Sequence, residues 1–236
     1  MMNPGKKQSA AAVSPADPLK TPPPMLEVKR LGMRFAEKQV LNDLSLTVLS
    51  GEKLVVRGAS GSGKSTLLRC LLGFLIPQTG SIALGGTVLD ESTVWFLRRK
   101  IGYVPQEPEM GVGSVRDLLA RPFGYRANRM LENDSVQILC LCRAFLLDER
   151  LLEENLSTLS GGEKQRVALI SSLLLRRDLY LLDEATSALD EKAKRGVVQY
   201  FRQRKDLTVV AVTHDRAFLE LSDRVLSLDH RGAGAR

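Results

Sequence analysis

EKLVVRGASGSGKSTLLRCLLGF, Glu52 to Phe74, decides the fold. It opens on a β-branched apolar run, KLVV, of the length of a buried strand, and closes on KSTLLRCLLGF, whose leucines recur at helical spacing. Between them Gly58, Gly63, Lys64 and Ser65 fit the pattern G-x-x-x-x-G-K-[ST]. Strand, glycine-rich turn and helix form the setting in which this motif holds phosphate. Glycines at 58, 61 and 63 let successive backbone N–H groups converge on oxygens, and the helix directs its positive end at them. Lys64 is expected to neutralise the terminal phosphates and Ser65 to offer its hydroxyl to Mg²⁺, with Ser60, Ser62 and Thr66 completing the cradle. The competing reading, a turn that binds nothing, leaves Lys64 and Ser65 without a purpose.

Toward the C-terminus, LYLLD ends an apolar strand on Asp183, followed by Glu184. A buried strand delivers Asp183 to the carboxyl edge of a sheet, where it can hold Mg²⁺ through water. Glu184 is then placed to polarise an attacking water; otherwise the pair merely begins a turn. LSGGEKQR, Leu159 to Arg166, carries a second signal. Ser160 with Glu163 reads as a capping box, a generic helix start. Capping does not account for Gly161 and Gly162, which are poor helix formers and expose backbone amides. Together with the serine hydroxyl they make a second anion site. One triphosphate rarely needs two, so the second is expected to serve a nucleotide held by another copy.

With 236 residues and 5% aromatics, the chain suits one α/β domain whose core is built from Leu, Val, Ile and Ala. No apolar run approaches the roughly 20 residues of a membrane span, and the first residues lack a secretory signal's apolar stretch. The expected location is therefore cytoplasmic. Of the net charge of +7, residues 1–24 carry +2 (Lys6, Lys7 and Lys20 against Asp17), residues 230–236 carry +2 (Arg231 and Arg236) and the body only +3, with no basic cluster interleaved with aromatics. Nucleic acid is not an expected partner. Cys140 and Cys142, with Cys70 and only two histidines, cannot complete a four-ligand zinc site without carboxylates; they read as small buried residues on a helix.

Residues 1–24, rich in proline, alanine and serine, read as a disordered tail, and 231–236 as a flexible end. LEVKR, QVLNDLSLTV and EKLVVRG read as strands, residues 91–99 as a helix and IGYVP as a strand. SVRDLLARPF and SVQILCLCRAFLL are candidate helices, broken by Pro122 and the stretch near 124–134. After Ser160, helix and strand alternate, which indicates a parallel sheet with crossover helices.

These motifs in this order identify the chain as resembling the nucleotide-binding domain of ABC ATPases, over about residues 26–229. The resemblance implies an α/β fold: a P-loop core with a mainly parallel sheet, an N-terminal antiparallel β subdomain and an inserted helical subdomain at about 107–160. It makes LSGGE the signature motif, Gln106 in YVPQEP the Q-loop residue contacting Mg²⁺ and water, and SALD, ending on Asp190, the D-loop at a dimer interface. His214 in AVTHD becomes the γ-phosphate switch, and Phe35 stands where a tyrosine usually stacks on adenine. On local sequence alone Asp190 could equally cap the next helix, and Phe35 could be a core residue.

The resemblance further implies Mg²⁺-ATP, a head-to-tail dimer of two copies enclosing two nucleotides, and an integral-membrane permease on a separate chain. The protein is then expected peripherally on the cytoplasmic face of the membrane. LLEENLST, Leu151 to Thr158, stands where fused multidrug exporters carry T-E-V-G-x-x-G. The stretch after Gln106 and the run LDEATSALDEKAKRGV look similar to the FetA/YbbL-like iron-export group. Lipoprotein-release and solute-import systems share much of that run. Soluble ABC ATPases of DNA repair, translation or iron–sulfur assembly form a second class, which usually carries coiled-coil, zinc or tandem-domain features missing from this sequence. A nucleotide-gated scaffold without turnover would lack Glu184 or His214.

Overall fold

The structure, a computed structural model, describes residues 22–229 and the backbone of 232–235; the tail expected over 1–24 lies almost wholly outside the described residues. The described chain enters β1 (Leu26–Phe35) and β2 (Lys38–Val48), a hairpin whose buried residues alternate at the start of β1 and the end of β2. Leu26, Val28 and Leu31 face inward from β1, and Leu44, Leu46 and Val48 from β2. The ladder slips at Arg30 and Asp43, both at positive φ, and their side chains pair at 3.2 Å across the irregularity. Next come β3 (Lys53–Arg57), α1 (Lys64–Leu71), β4 (Thr79–Leu84) and β5 (Thr87–Val88). Strands β2, β1, β4 and β5 lie in that order as an antiparallel sheet.

The segment read as a helix over 91–99 is helical only as α2 (Val94–Arg98). Asp90 explains the delay. Its Oδ1 accepts from the backbone N–H groups of Ser92 and Thr93, and Thr93 Oγ1 donates to Val88 O, closing a local turn first. The chain continues through β6 (Ile101–Val104) into short helices, α3 (Val115–Ala120) and α4 (Ser135–Ala144), separated and followed by 3₁₀ turns. Pro122 is the second residue of one such turn, and the φ of +55° at Leu146 ends the α4 region. Both helices are therefore shorter than their apolar patterns. Cys142 is buried on α4 but Cys140 is exposed, correcting the expectation that both are buried.

The remainder is α5 (Gly161–Leu174), β7 (Leu179–Asp183), α6 (Glu191–Gln203), β8 (Thr208–Val212), α7 (Arg216–Leu221), β9 (Arg224–Asp229) and β10 (Gly232–Ala235). A six-stranded sheet runs in the order β10-β9-β3-β8-β7-β6, parallel except for β10. Where a flexible end is expected, the backbone of 232–235 pairs with β9.

Two apolar clusters cover this sheet, and the period-two alternation of the strands assigns residues between them. Leu54 and Val56 of β3, with Leu179 and Leu181 of β7, pack with α1 and the antiparallel sheet. Val55, Tyr180 and Leu182 point the other way, among residues of α4, α5 and α6. At about 1.5–3 kcal/mol for each fully buried large apolar side chain, these layers hold the strand ends rigidly in place.

Candidate nucleotide site

Strand β3 ends at Arg57 and α1 starts at Lys64, so the glycine-rich loop spans residues 58–63. Gly63 caps the helix at φ 100°, a conformation costly for any residue with a Cβ. Gly58 is required for space instead: a Cβ there would sit 2.5 Å from both Leu228 O and Ser62 Oγ. The Ser62 hydroxyl is buried and without a partner. Lys64 Nζ donates to Gly58 O at 2.7 Å and Ala59 O at 2.9 Å, so the ammonium lies against its own loop.

The loop forms one wall of a cleft of about 620 Å³. Ser60, Gly61, Gly63, Lys64, Ser65 and Thr66 line this wall. Gln106, Asp183, Glu184 and His214 line another. Phe35 also borders the cleft and is 46% exposed, so it is not a core residue. Lys38, Val40 and Val212 are lining residues that the sequence does not single out. The first two arrive because the β1–β2 hairpin folds over the loop, a contact between segments some 20 residues apart that no local pattern announces.

Register explains how the acidic wall is assembled. Parallel pairing matches Val104 to Leu182 and Asp183 to Val212, so Gln106, Asp183 and His214 all follow strand ends at one edge. Burial pushes the Asp183 carboxyl above the usual carboxylate range, while the Tyr103 hydroxyl, Lys64 and Arg69 act the other way. Glu184 follows at φ +46°, and its N–H donates to Val212 O at 2.8 Å. That backbone conformation is rare outside glycine, and here a strand-end hydrogen bond holds it. His214 Nε2 lies 3.9 Å from Glu184 Oε1. Thr186 Oγ1 donates to Asp215 Oδ2 at 3.1 Å, joining the segments that carry these two residues.

Ser160, Gly161, Gly162 and Asp190 do not line this cleft, and Gly58 and Ser62 lie behind its loop. Ser160 and Glu163 form a complete capping box on α5: Ser160 N–H donates to Glu163 Oε2 at 2.8 Å, and Glu163 N–H donates to Ser160 Oγ at 3.4 Å. The Ser160 hydroxyl also donates to Glu163 Oε2 at 2.7 Å. These bonds hold the Glu163 carboxyl below its ordinary range. Gly161 is exposed, and a Cβ on Gly162 would come within 2.9 Å of Ala188 O. Asp190 caps α6 by accepting from Ala193 N–H at 2.7 Å, so its local role is occupied. Among the described residues no group of three or more His, Cys, Asp or Glu could hold a metal, and no helix is long and apolar enough to cross a membrane.

The geometry is therefore a cation-bearing phosphate loop facing two carboxylates, an amide and an imidazole, with a second helix N-terminus, capped by Glu163 but with Ser160 and Gly161 exposed, elsewhere in the chain. Comparison with known proteins agrees. The ABC transporter family model matches residues 41–187. The energy-coupling factor transporter ATP-binding protein EcfA1 of Bacillus licheniformis is 39% identical over 199 residues, covering 82% of this chain and 70% of that protein. Its Bacillus subtilis counterpart is 37% identical over 213 residues, covering 87% and 75%. Among solved structures, the dimeric ATP-binding cassette MJ0796 in a post-hydrolysis state with ADP and Pi aligns with a TM-score of 0.75 at 26% identity, covering 89% of this chain and 98% of that one. A bacterial Atm1-family exporter with ATP bound aligns with a TM-score of 0.78 at 26% identity, and this chain spans 41% of it. The chain belongs to the ABC transporter family, as an ATP-binding and ATP-hydrolysing transporter subunit.

Proposed function

We propose that two copies of this chain pack head to tail and enclose two ATP molecules, each between the Gly58–Thr66 loop of one copy and Ser160–Gly162 of the other. One observation carries this reading: Ser160, Gly161 and Gly162 expose a helix N-terminus that does not line their own chain's Lys64 cleft. The dimeric form of the MJ0796 cassette supports it. In the closed pair Lys64 leaves Gly58 O and Ala59 O for the β- and γ-phosphates, and Phe35 offers its exposed ring to the adenine. Glu184 accepts a proton from the attacking water, and His214 contacts the γ-phosphate. Asp190 sits at the dimer interface while capping α6.

Ser65, Gln106 and Asp183 offer a hydroxyl, an amide oxygen and a carboxylate in one cleft, the hard oxygen donors that Mg²⁺ prefers. The bound ion would neutralise phosphate charge, and it would relieve the burial that now disfavours the Asp183 carboxylate.

The dimer drives a separate integral-membrane permease and sits peripherally on the membrane. An exposed aromatic pair supports a docking surface. Phe74 and Trp95, 62% and 72% exposed, hold the Arg98 guanidinium between them, 4.4 Å and 5.0 Å from their ring centres. The relatives found carry the energy-coupling factor name, which favours that kind of transporter over the iron-export group for this subunit. Affinity purification of the Glu184→Gln protein from membranes with ATP tests the reading. A polytopic membrane protein is expected to co-purify; recovery only from the soluble fraction, with ribosomes, DNA or assembly factors, would contradict it.

A further inference from the structure

Gln165, on the second turn of α5, is fully shielded from solvent. Its Nε2 donates to the carbonyl oxygen of Pro105 at 3.1 Å, across a sequence separation of 60 residues. Its Oε1 is buried with no partner. Rotating the amide would bring two acceptors face to face, so the orientation is fixed by Pro105 O. A buried amide that satisfies only one of its groups is a poor choice for packing alone, since an aliphatic side chain would fill the same space without desolvation cost.

The two ends of this bond belong to different halves of the nucleotide machinery. Pro105 directly precedes Gln106, which lines the cleft beside Asp183 and Lys64. Helix α5 begins at Gly161 with Ser160 as its cap, and Ser160–Gly162 do not line that cleft. The chain neighbours Val104 on β6 and Val167 and Leu169 on α5 belong to one buried apolar cluster. Apolar contacts tolerate sliding, whereas a single directional hydrogen bond fixes the relative position of helix and loop.

We propose that Gln165 is a positioning residue that couples the N-terminal half of α5 to the placement of Gln106. This rests on the sandwich reading above. A nucleotide held by the partner pulls on Ser160–Gly162, and Gln165 passes that displacement through Pro105 to the amide at this chain's own nucleotide. The two sites are thereby linked through one side chain in each copy.

The test is a double-mutant cycle on the full chain, measuring kcat at saturating Mg²⁺-ATP and nucleotide Kd. Gln165→Met and Gln165→Leu keep volume and remove the donor. Each is expected to lower kcat by about two- to thirtyfold, the range of energies carried by such couplings, with Kd changed less than about twofold. Combined with Gln106→Ala, Gln165→Met should slow turnover no further than Gln106→Ala alone. Multiplied effects, an unchanged kcat, or a Kd lost together with turnover would overturn the inference, the last by showing a structural role. If Gln106→Ala itself leaves kcat intact, the role given to the loop fails and the coupling with it. If Gln106→Ala slows turnover and both Gln165 variants do not, only the coupling fails.

Discussion

His214 Nε2 stands 3.9 Å from Glu184 Oε1 where β8 and β7 end side by side. The glutamate is the less exposed of the two, at 21% against 60%. Its backbone is held at φ +46° by the bond from its N–H to Val212 O. The Glu184 backbone is thus fixed by the sheet, while the His214 imidazole is the more exposed and can reach a ligand. On the proposed mechanism Glu184→Gln should retain ATP binding and lose about 10²–10⁴-fold in turnover, the worth of a positioned base. His214→Ala should likewise reduce kcat more than it raises Kd. A Glu184→Gln protein that turns over at the native rate would remove the assignment.

Lys64 now satisfies itself on Gly58 O and Ala59 O, and must exchange those bonds for phosphate. Charge-assisted hydrogen bonds to phosphate outweigh those to neutral carbonyls. Lys64→Met should weaken ATP binding by about 10- to 100-fold with little change in melting temperature. Titration with a fluorescent ATP analogue measures it, and an unchanged Kd would count against the phosphate role.

The Ser160 hydroxyl faces a choice between Glu163 and a partner's nucleotide. Ser160→Ala should cost about 1 kcal/mol of helix cap and, separately, weaken the ATP-bound dimer. The same box has an acid signature. Hydrogen bonds from Ser160 hold the Glu163 carboxyl below its ordinary 4.5, so the stabilisation is complete above that pH and is lost as pH falls through the lower folded value. Melting curves of wild type and Glu163→Gln should therefore converge below pH 4.5. A constant difference from pH 5 to 3 would deny the box its ionised member.

Trp95 and Phe74 expose their rings around Arg98, and none of the three lines the cleft. Trp95→Glu should abolish recovery of the membrane partner and leave nucleotide Kd as it is. Full recovery of the partner would move the docking surface elsewhere.

How much of this was legible depends on how local each device is. The loop from Gly58 to Thr66 could be read because strand, turn and helix are contiguous, and Ser160 with Glu163 because a capping box is a three-residue relationship. Gln106 and His214 have no local signature; only resemblance picked them out, and the parallel register of β6, β7 and β8 explains why they meet Asp183. Lys38, Tyr103 and Gln165 were silent because each acts through a contact between distant segments. Helix α2 begins late because Asp90 offers the backbone a competing turn, and Cys140 is exposed because it lies two residues from buried Cys142 and so on a different face of α4.

The central claim is that ATP, held by one copy, completes its site with Ser160–Gly162 of another. Light scattering of Glu184→Gln with and without Mg²⁺-ATP tests it most directly, with Ser160→Arg in the same background as the control. The account predicts a monomer without nucleotide, a dimer of twice the 26.0 kDa chain with it, and a monomer again when Ser160 is replaced. A monomer at saturating ATP, or a dimer indifferent to both ATP and Ser160, would contradict it.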